Sequence, residues 1–205
     1  MKTHNANEFN DQHIPVYSSS LPKQSKQSKQ NAAKNTIVLT KINTPFGDLL
    51  AGASSQGICL LEFTDTQRLA TQIPRMKQRF ACHVINGNSS FFAQLDAGLK
   101  AYFAGTQHDF NDIPLDIKGT DFQIQVWDAL RAIPYGETRS YQQQAEAINN
   151  PKAVRAVANA NRNNRISILI PCHRVIGKNG TMTGYGGGIW RKEYLLKLEN
   201  NSGRS

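Results

Sequence analysis

At 205 residues the chain is long enough for one full domain, or a small one beside a medium one, each with an apolar core. It shows no secretory signal at its start and no run that approaches a bilayer span, so a cytoplasmic protein is expected, and its three widely spaced cysteines, without a C-x-x-C pair, argue against a disulfide framework and a zinc site. The net charge of +9 is uneven: residues 36–119 balance seven basic against seven acidic groups, whereas residues 120–205 carry twelve against six. Between Glu146 and Glu193 there is no carboxylate, yet Lys152, Arg155, Arg162, Arg165 and Arg174 all fall there, with Lys178, Arg191 and Lys192. Such a window suits a polyanion; a merely soluble basic surface is the alternative.

Residues 1–35 hold five Lys among Asn, Gln and Ser, including the near-repeat Lys23 to Gln30, with almost nothing to bury. This composition predicts a disordered basic tail. Three strand-like runs follow, Thr36–Ile42, Asp48–Ala53 and Gly57–Phe63, and read as an antiparallel meander. Cys59 lies in the third beside Leu60 and Leu61, the setting of a small core residue. Helical periodicity then covers Thr66–Phe80 and Ser90–Phe103, where Phe91, Leu95, Leu99 and Phe103 form a core stripe. A small α+β domain over residues 36–116 results, and nothing in it suggests a site.

Residues 117–205 read as mostly helical. Phe122, Val126, Leu130 and Ile133 line one face of a helix over Thr120–Ile133, which Pro134-Tyr135-Gly136 stops. Ser140 caps a helix bearing Tyr141, Ala145 and Ile148; Asn149-Asn150-Pro151 breaks it, with Asn150 as cap and Pro151 as first residue of the next. Helix, tight turn, helix is the outline of a helix-turn-helix. In its second helix Val154, Val157 and Ala158 pack inward, while Lys152, Arg155, Asn159 and Arg162 form an outward stripe suited to docking DNA. An ordinary surface helix in a bundle is the plainer reading.

The apolar, strand-like run Ile166–Ile170 delivers Pro171-Cys172-His173-Arg174-Val175. A thiol in an apolar setting is inert unless a base or cation favours its thiolate, and His173 is the adjacent candidate. The two cooperate only if Pro171 begins a turn, since neighbours on a strand face opposite ways. Glu199, in the last helix, is the carboxylate chosen to orient the imidazole. A buried thiol beside a surface histidine is the competing description. Gly184-Tyr185-Gly186-Gly187-Gly188 offers small residues for close approach of a ligand, or a plain turn.

Pro171-Cys172-His173-Arg174-Val175, preceded by Ile168-Leu169-Ile170 and followed by Gly184-Tyr185 and Arg191-Lys192-Glu193-Tyr194-Leu195-Leu196, closely resembles the O6-alkylguanine-DNA alkyltransferases of the constitutive bacterial type. Ser140-Tyr141-Gln142-Gln143, Asn150 to Val157 and Asn164 fall in the same family order. The likeness is strong over residues 120–199 and loose over the three strands.

The resemblance implies a ribonuclease-H-like N-terminal domain, a C-terminal helix-turn-helix domain that enters the minor groove of double-stranded DNA, no cofactor, and a monomer. It implies that Cys172 accepts the alkyl group of a base flipped out of the duplex, in one stoichiometric, suicidal step. Arg155 would fill the vacated stack and Tyr141 assist the flipped nucleotide. Asn164 and Glu199 would position His173, which draws the proton from Cys172 through a water, with Lys192 near the thiolate. The carbonyls of Cys172 and Val175 would read the guanine amino group, beside Tyr185 and a backbone N–H of Gly186. Some members have serine at position 186; glycine there implies room for alkyl groups larger than methyl. A DNA-binding module without transfer, or a cysteine hydrolase, are the other functions these residues permit.

Overall fold

The computed structural model describes residues 35–202; apart from Asn35, the expected basic tail lies outside them. Three strands, β1 (Thr36–Ile42), β2 (Leu49–Ala53) and β3 (Ile58–Phe63), form the expected antiparallel meander. The sequence reading missed a fourth, β4 (His83–Asn86), which pairs parallel to β1 and completes the order β3-β2-β1-β4. Its four residues bury only Val84, so it shows no clear alternation.

The sheet is a middle layer. On one face Ile37, Leu39, Leu50, Cys59 and Leu60 pack against Ile73, Met76 and Phe80 of α1 (Arg68–Phe80). On the other, Leu49, Ala51, Leu61 and Phe63 join α2 (Ser90–Phe103) and the C-terminal helices in a second core. The stripe expected on α2 is rotated: Phe92, Leu95, Leu99 and Tyr102 are buried, whereas Phe91 and Phe103 are half-buried. Two overlapping four-residue series share that helix, and packing against β2 selects between them.

Ser89 caps α2, and Thr120 caps α3 (Asp121–Arg131) in a capping box with Gln123. Ser140 caps α4 (Tyr141–Ala147), as expected, in a second box with Gln143. The chain then turns through Asn149, at φ +56°, into α5 (Val154–Arg162). Asn150 and Pro151 therefore do not start this helix: Asn150 accepts a turn hydrogen bond from Ala153, and Lys152 lies in the turn. Between α4 and α5 a reciprocal amide pair, Gln144 with Asn161, is buried at 3.1 and 2.7 Å. Val157, Ala160 and Asn161 face inward, and Arg155, Asn159 and Arg162 are exposed.

Among the described residues no helix is long and apolar enough to cross a membrane.

Candidate active site

The run Ile166–Ile170 is a wound turn instead of a strand, and Asn164 explains why. Its side-chain oxygen accepts from Ile166 N at 2.9 Å while its Nδ2 donates to Ile170 O at 2.9 Å, which draws the two ends of the segment together. Ile168 sits at φ +71°, a conformation that costs a β-branched residue on the order of 1–3 kcal/mol. The edge strand β3 holds the segment from outside: Leu61 N donates to Arg165 O and Ser167 N to Leu61 O, both at 2.8 Å. The N-terminal sheet, in which no site was expected, is thus the anvil of the site.

Pro171 leads into a short 3₁₀ turn, Cys172–Arg174, and then β6 (Val175–Ile176). Beside β6 runs β5 (Arg139–Ser140), in parallel register Arg139 to Val175, and this pairing brings the start of α4 next to Cys172. Tyr141 is half-buried there, with Thr183 beside its hydroxyl, and burial raises its pKa.

Cys172 is 8% exposed and forms part of the wall of an open groove of about 1120 Å³, which Tyr141, Thr183, Tyr185 and Gly186 also line. Burial pushes the thiol pKa up. Opposing that, Asn164 Nδ2 lies 3.3 Å from the sulfur, and the charges of Arg68 and Lys192 favour the thiolate. Because Oδ1 of Asn164 is committed to an N–H, its amide hydrogens must face the sulfur. The expected role of Asn164 is therefore corrected: it touches Cys172 and the turn, not His173.

His173 is fully buried, with Nε2 2.7 Å from Glu199 Oε1 on α6 (Ile189–Ser202). Glu199 also accepts from Tyr102 Oη at 2.7 Å, from Arg174 Nε at 2.9 Å and Nη2 at 3.1 Å, and from Gly136 N at 3.3 Å. Burial alone would raise its pKa, but His173 and Arg174 outweigh that and hold it well below the usual carboxylate range. Burial lowers the pKa of His173 from its ordinary 6.5 despite Glu199, so the ring is neutral near pH 7. With an ionised acceptor at Nε2, that nitrogen carries the hydrogen, and Nδ1 is a bare lone pair, buried with no protein partner.

Lys192 is buried and donates to the carbonyls of Val175 and Thr183, tying the two sides of the site. Burial lowers its pKa to about 8. Arg174 and Arg191, counted by sequence as cations for a polyanion, are buried as well; Arg191 bonds Asp65 at 2.7 Å. Of the eight cations in the carboxylate-free window, Lys152, Arg155, Arg162 and Lys178 are exposed.

Gly186 does not leave the vacancy expected of it. A Cβ built there would collide with the guanidinium of Arg68, which fills that space from α1. Arg68 donates to Arg162 O at 2.8 Å and Asn164 O at 2.7 Å, and pairs at 3.1 Å with the buried Glu62. Arg68, Glu62 and Tyr102 all come from the N-terminal half and were missed because only tertiary contact brings them to the site. A single buried-side polar group within the apolar strand Ile58–Phe63, Glu62, was the one legible clue.

The chain is similar to known proteins over both of its halves. The family model described as "6-O-methylguanine DNA methyltransferase, ribonuclease-like domain" matches residues 37–117, and that described as "6-O-methylguanine DNA methyltransferase, DNA binding domain" matches residues 121–201. A methylated-DNA--protein-cysteine methyltransferase of Methanosarcina acetivorans is 43% identical over 77% of this chain and 95% of its own. One from Methanosarcina barkeri is 44% identical over 78% and 96%. The crystal structure of the Mycobacterium tuberculosis O6-methylguanine methyltransferase superposes with a TM-score of 0.70 at 41% identity, covering 81% of this chain and 94% of that one. A structure of the same organism's protein in complex with DNA gives 0.69 at 41% identity, covering 82% and 94%. With both halves matched over nearly their whole length, the chain belongs to the 6-O-methylguanine DNA methyltransferase family.

Proposed function

We propose that this protein repairs DNA by direct reversal, moving the alkyl group from O6 of an alkylated guanine onto Cys172. The observation that carries the reading is a thiol in the wall of an open groove, with an amide N–H on its sulfur and a buried, neutral histidine next in sequence held by a carboxylate. The names of the relatives support the same chemistry.

On this reading residues 36–116 brace the site and residues 117–205 carry the acceptor and the DNA contacts. α4, the turn and α5 act as a helix-turn-helix, on which Arg155, Asn159 and Arg162, with Lys152 from the turn, face the duplex. The alkylated base must leave the stack, because an atom inside it cannot meet the sulfur in line; the cost is a few kcal/mol, which Arg155 offsets by filling the gap. Tyr141 steers the extruded nucleotide past the mouth of the groove. Val175 O, although engaged by Lys192, keeps a second lone pair for the guanine amino group.

His173 Nδ1 draws the proton of Cys172 through one water, and Glu199 stabilises the imidazolium that forms. The S–C bond forms as the C–O6 bond breaks, the electron pair departs on the guanine, whose oxygen is met by the N–H of Gly186, and the guanine anion takes up one proton as His173 gives its own back. Lys192 and Arg68 supply positive charge beside the thiolate. The product is a thioether with no acidic proton and no good leaving group, so each molecule acts once.

Titrating the protein with duplex DNA that carries a labelled O6-methylguanine tests this. Transfer is expected to stop at one methyl per protein. Continued release of product beyond one equivalent would contradict it.

A further inference from the structure

The groove that holds Cys172 does not end at the proposed base pocket. It runs on between α1 and the C-terminal end of α5, past Arg162 and Arg165, and along a face of α1. Arg68, Arg75 and Arg79 all line it. At spacings of seven and four, on a helix of about 3.6 residues per turn, Arg75 and Arg79 each lie within about 20° of Arg68. One helix of the ribonuclease-like half therefore presents a row of arginines to the same groove.

Five arginines line the groove, and none of its lining residues is Asp or Glu. Arg68 has Glu62 behind it, but Arg75 and Arg79 bond only neutral oxygens, Asn163 Oδ1 at 3.1 Å and Gln123 Oε1 at 3.3 Å. Arg165 sets its guanidinium on Lys118 O and over the Trp127 ring; burial, helped by the charges of Arg79 and Arg75, lowers its pKa to about 10. Of these five arginines only Arg68 has a carboxylate partner among the described residues, and the charge left over calls for a polyanion from outside.

We propose that this arginine face of α1 is a second DNA contact, which grips the sugar-phosphate backbone of the duplex where it continues beyond α5. The proposal rests on the DNA-repair reading and extends it to a half of the protein to which that reading gives only a bracing role. Charge complementarity and continuity with the base pocket carry it. From Arg68 to Arg79 the helix rises roughly 16 Å, the axial length of about five phosphates on one strand. Guanidinium forks suit phosphate oxygens, and Thr71, Gln78 and Gln123 add neutral donors along the track.

The test is the salt dependence of binding, measured by fluorescence anisotropy with the full chain and an undamaged duplex of about two helical turns. Each lost phosphate contact flattens the slope of log K against log salt by about 0.9, so Arg75→Gln with Arg79→Gln is expected to flatten it by nearly 1.8 and to weaken binding by at least about tenfold at 0.1 M salt. Arg75→Lys with Arg79→Lys should keep most of the slope. Methyl transfer from the free O6-alkylguanine base should be the same in all three proteins. An unchanged slope in the Gln pair overturns the proposal, and so does an equal loss in the Lys pair, which would mark a packing defect. Failure of the unsubstituted protein to transfer any alkyl group would sink the repair reading instead, and leaves the slope comparison intact.

Discussion

Two buried thiols of this chain show what separates a core residue from a candidate nucleophile. Cys59, 1% exposed in β3, and Cys172, 8% exposed in its turn, are both surrounded by apolar side chains, and burial raises the pKa of both. Around Cys59 little opposes that push: the sulfur faces Gly52 O at 3.4 Å, an acceptor that rewards the protonated form, and the pKa climbs to about 12. At Cys172 the side chain hydrogen-bonded to the sulfur is a donor, Asn164, with Arg68 and Lys192 adding positive charge. Burial raises both, and it also strengthens whichever neighbour is present: an acceptor that keeps the proton on Cys59, a donor and cations that favour the thiolate at Cys172.

The comparison breaks most sharply by exchange of the sulfur. Cys172→Ala is expected to reduce alkyl transfer to background, whereas Cys59→Ala should leave the transfer rate unchanged and cost about 1 kcal/mol of stability for the small cavity. A rate assay beside a denaturant melt separates the two outcomes, and transfer that survives in the Cys172 variant would end the distinction.

Next in size is the carboxylate behind His173. Glu199→Gln leaves Arg174 without its buried counter-charge and His173 without its ionised acceptor, an expected loss of about 3–5 kcal/mol, and a fall in transfer rate of about 10²-fold. Tyr102→Phe removes one hydrogen bond to the same carboxylate, so about 1.5–3 kcal/mol is expected in the melt with a smaller effect on rate. If Tyr102→Phe slows transfer as much as Glu199→Gln, the ranking of their roles is wrong.

The smallest effect concerns pH. The folded pKa of His173 lies below its ordinary 6.5, so the unfolded chain takes up the proton first and stability falls as pH drops below about 6.5. His173→Asn should flatten that part of the stability–pH curve; an equally steep fall in the variant would place the proton elsewhere.

Local chemistry was legible in the sequence and tertiary convergence was not. The Ser140 cap, the meander of β1 to β3 and the outward set Arg155, Asn159 and Arg162 follow from near neighbours along the chain, and all stand in the structure. Glu199 was placed beside His173 correctly, although 26 residues separate them. The apolar, β-branched composition of Ile166–Ile170 favours a strand, and the Asn164 side chain overrides that preference by bonding both ends. A glycine at 186 suggests free space, and the sequence holds no sign that Arg68, 118 positions earlier, reaches across from α1 to fill it. Buried Arg174 and Arg191 were counted as surface charge for the same reason: a cation's partner decides where it lies, and the partners are remote.

The most direct measurement is peptide mapping by mass spectrometry after the full chain meets duplex DNA bearing O6-methylguanine. One added methyl should appear on the peptide that contains Cys172, with those of Cys59 and Cys82 unmodified. A methyl on either other cysteine, or none on any, would contradict the assignment of Cys172 as the acceptor.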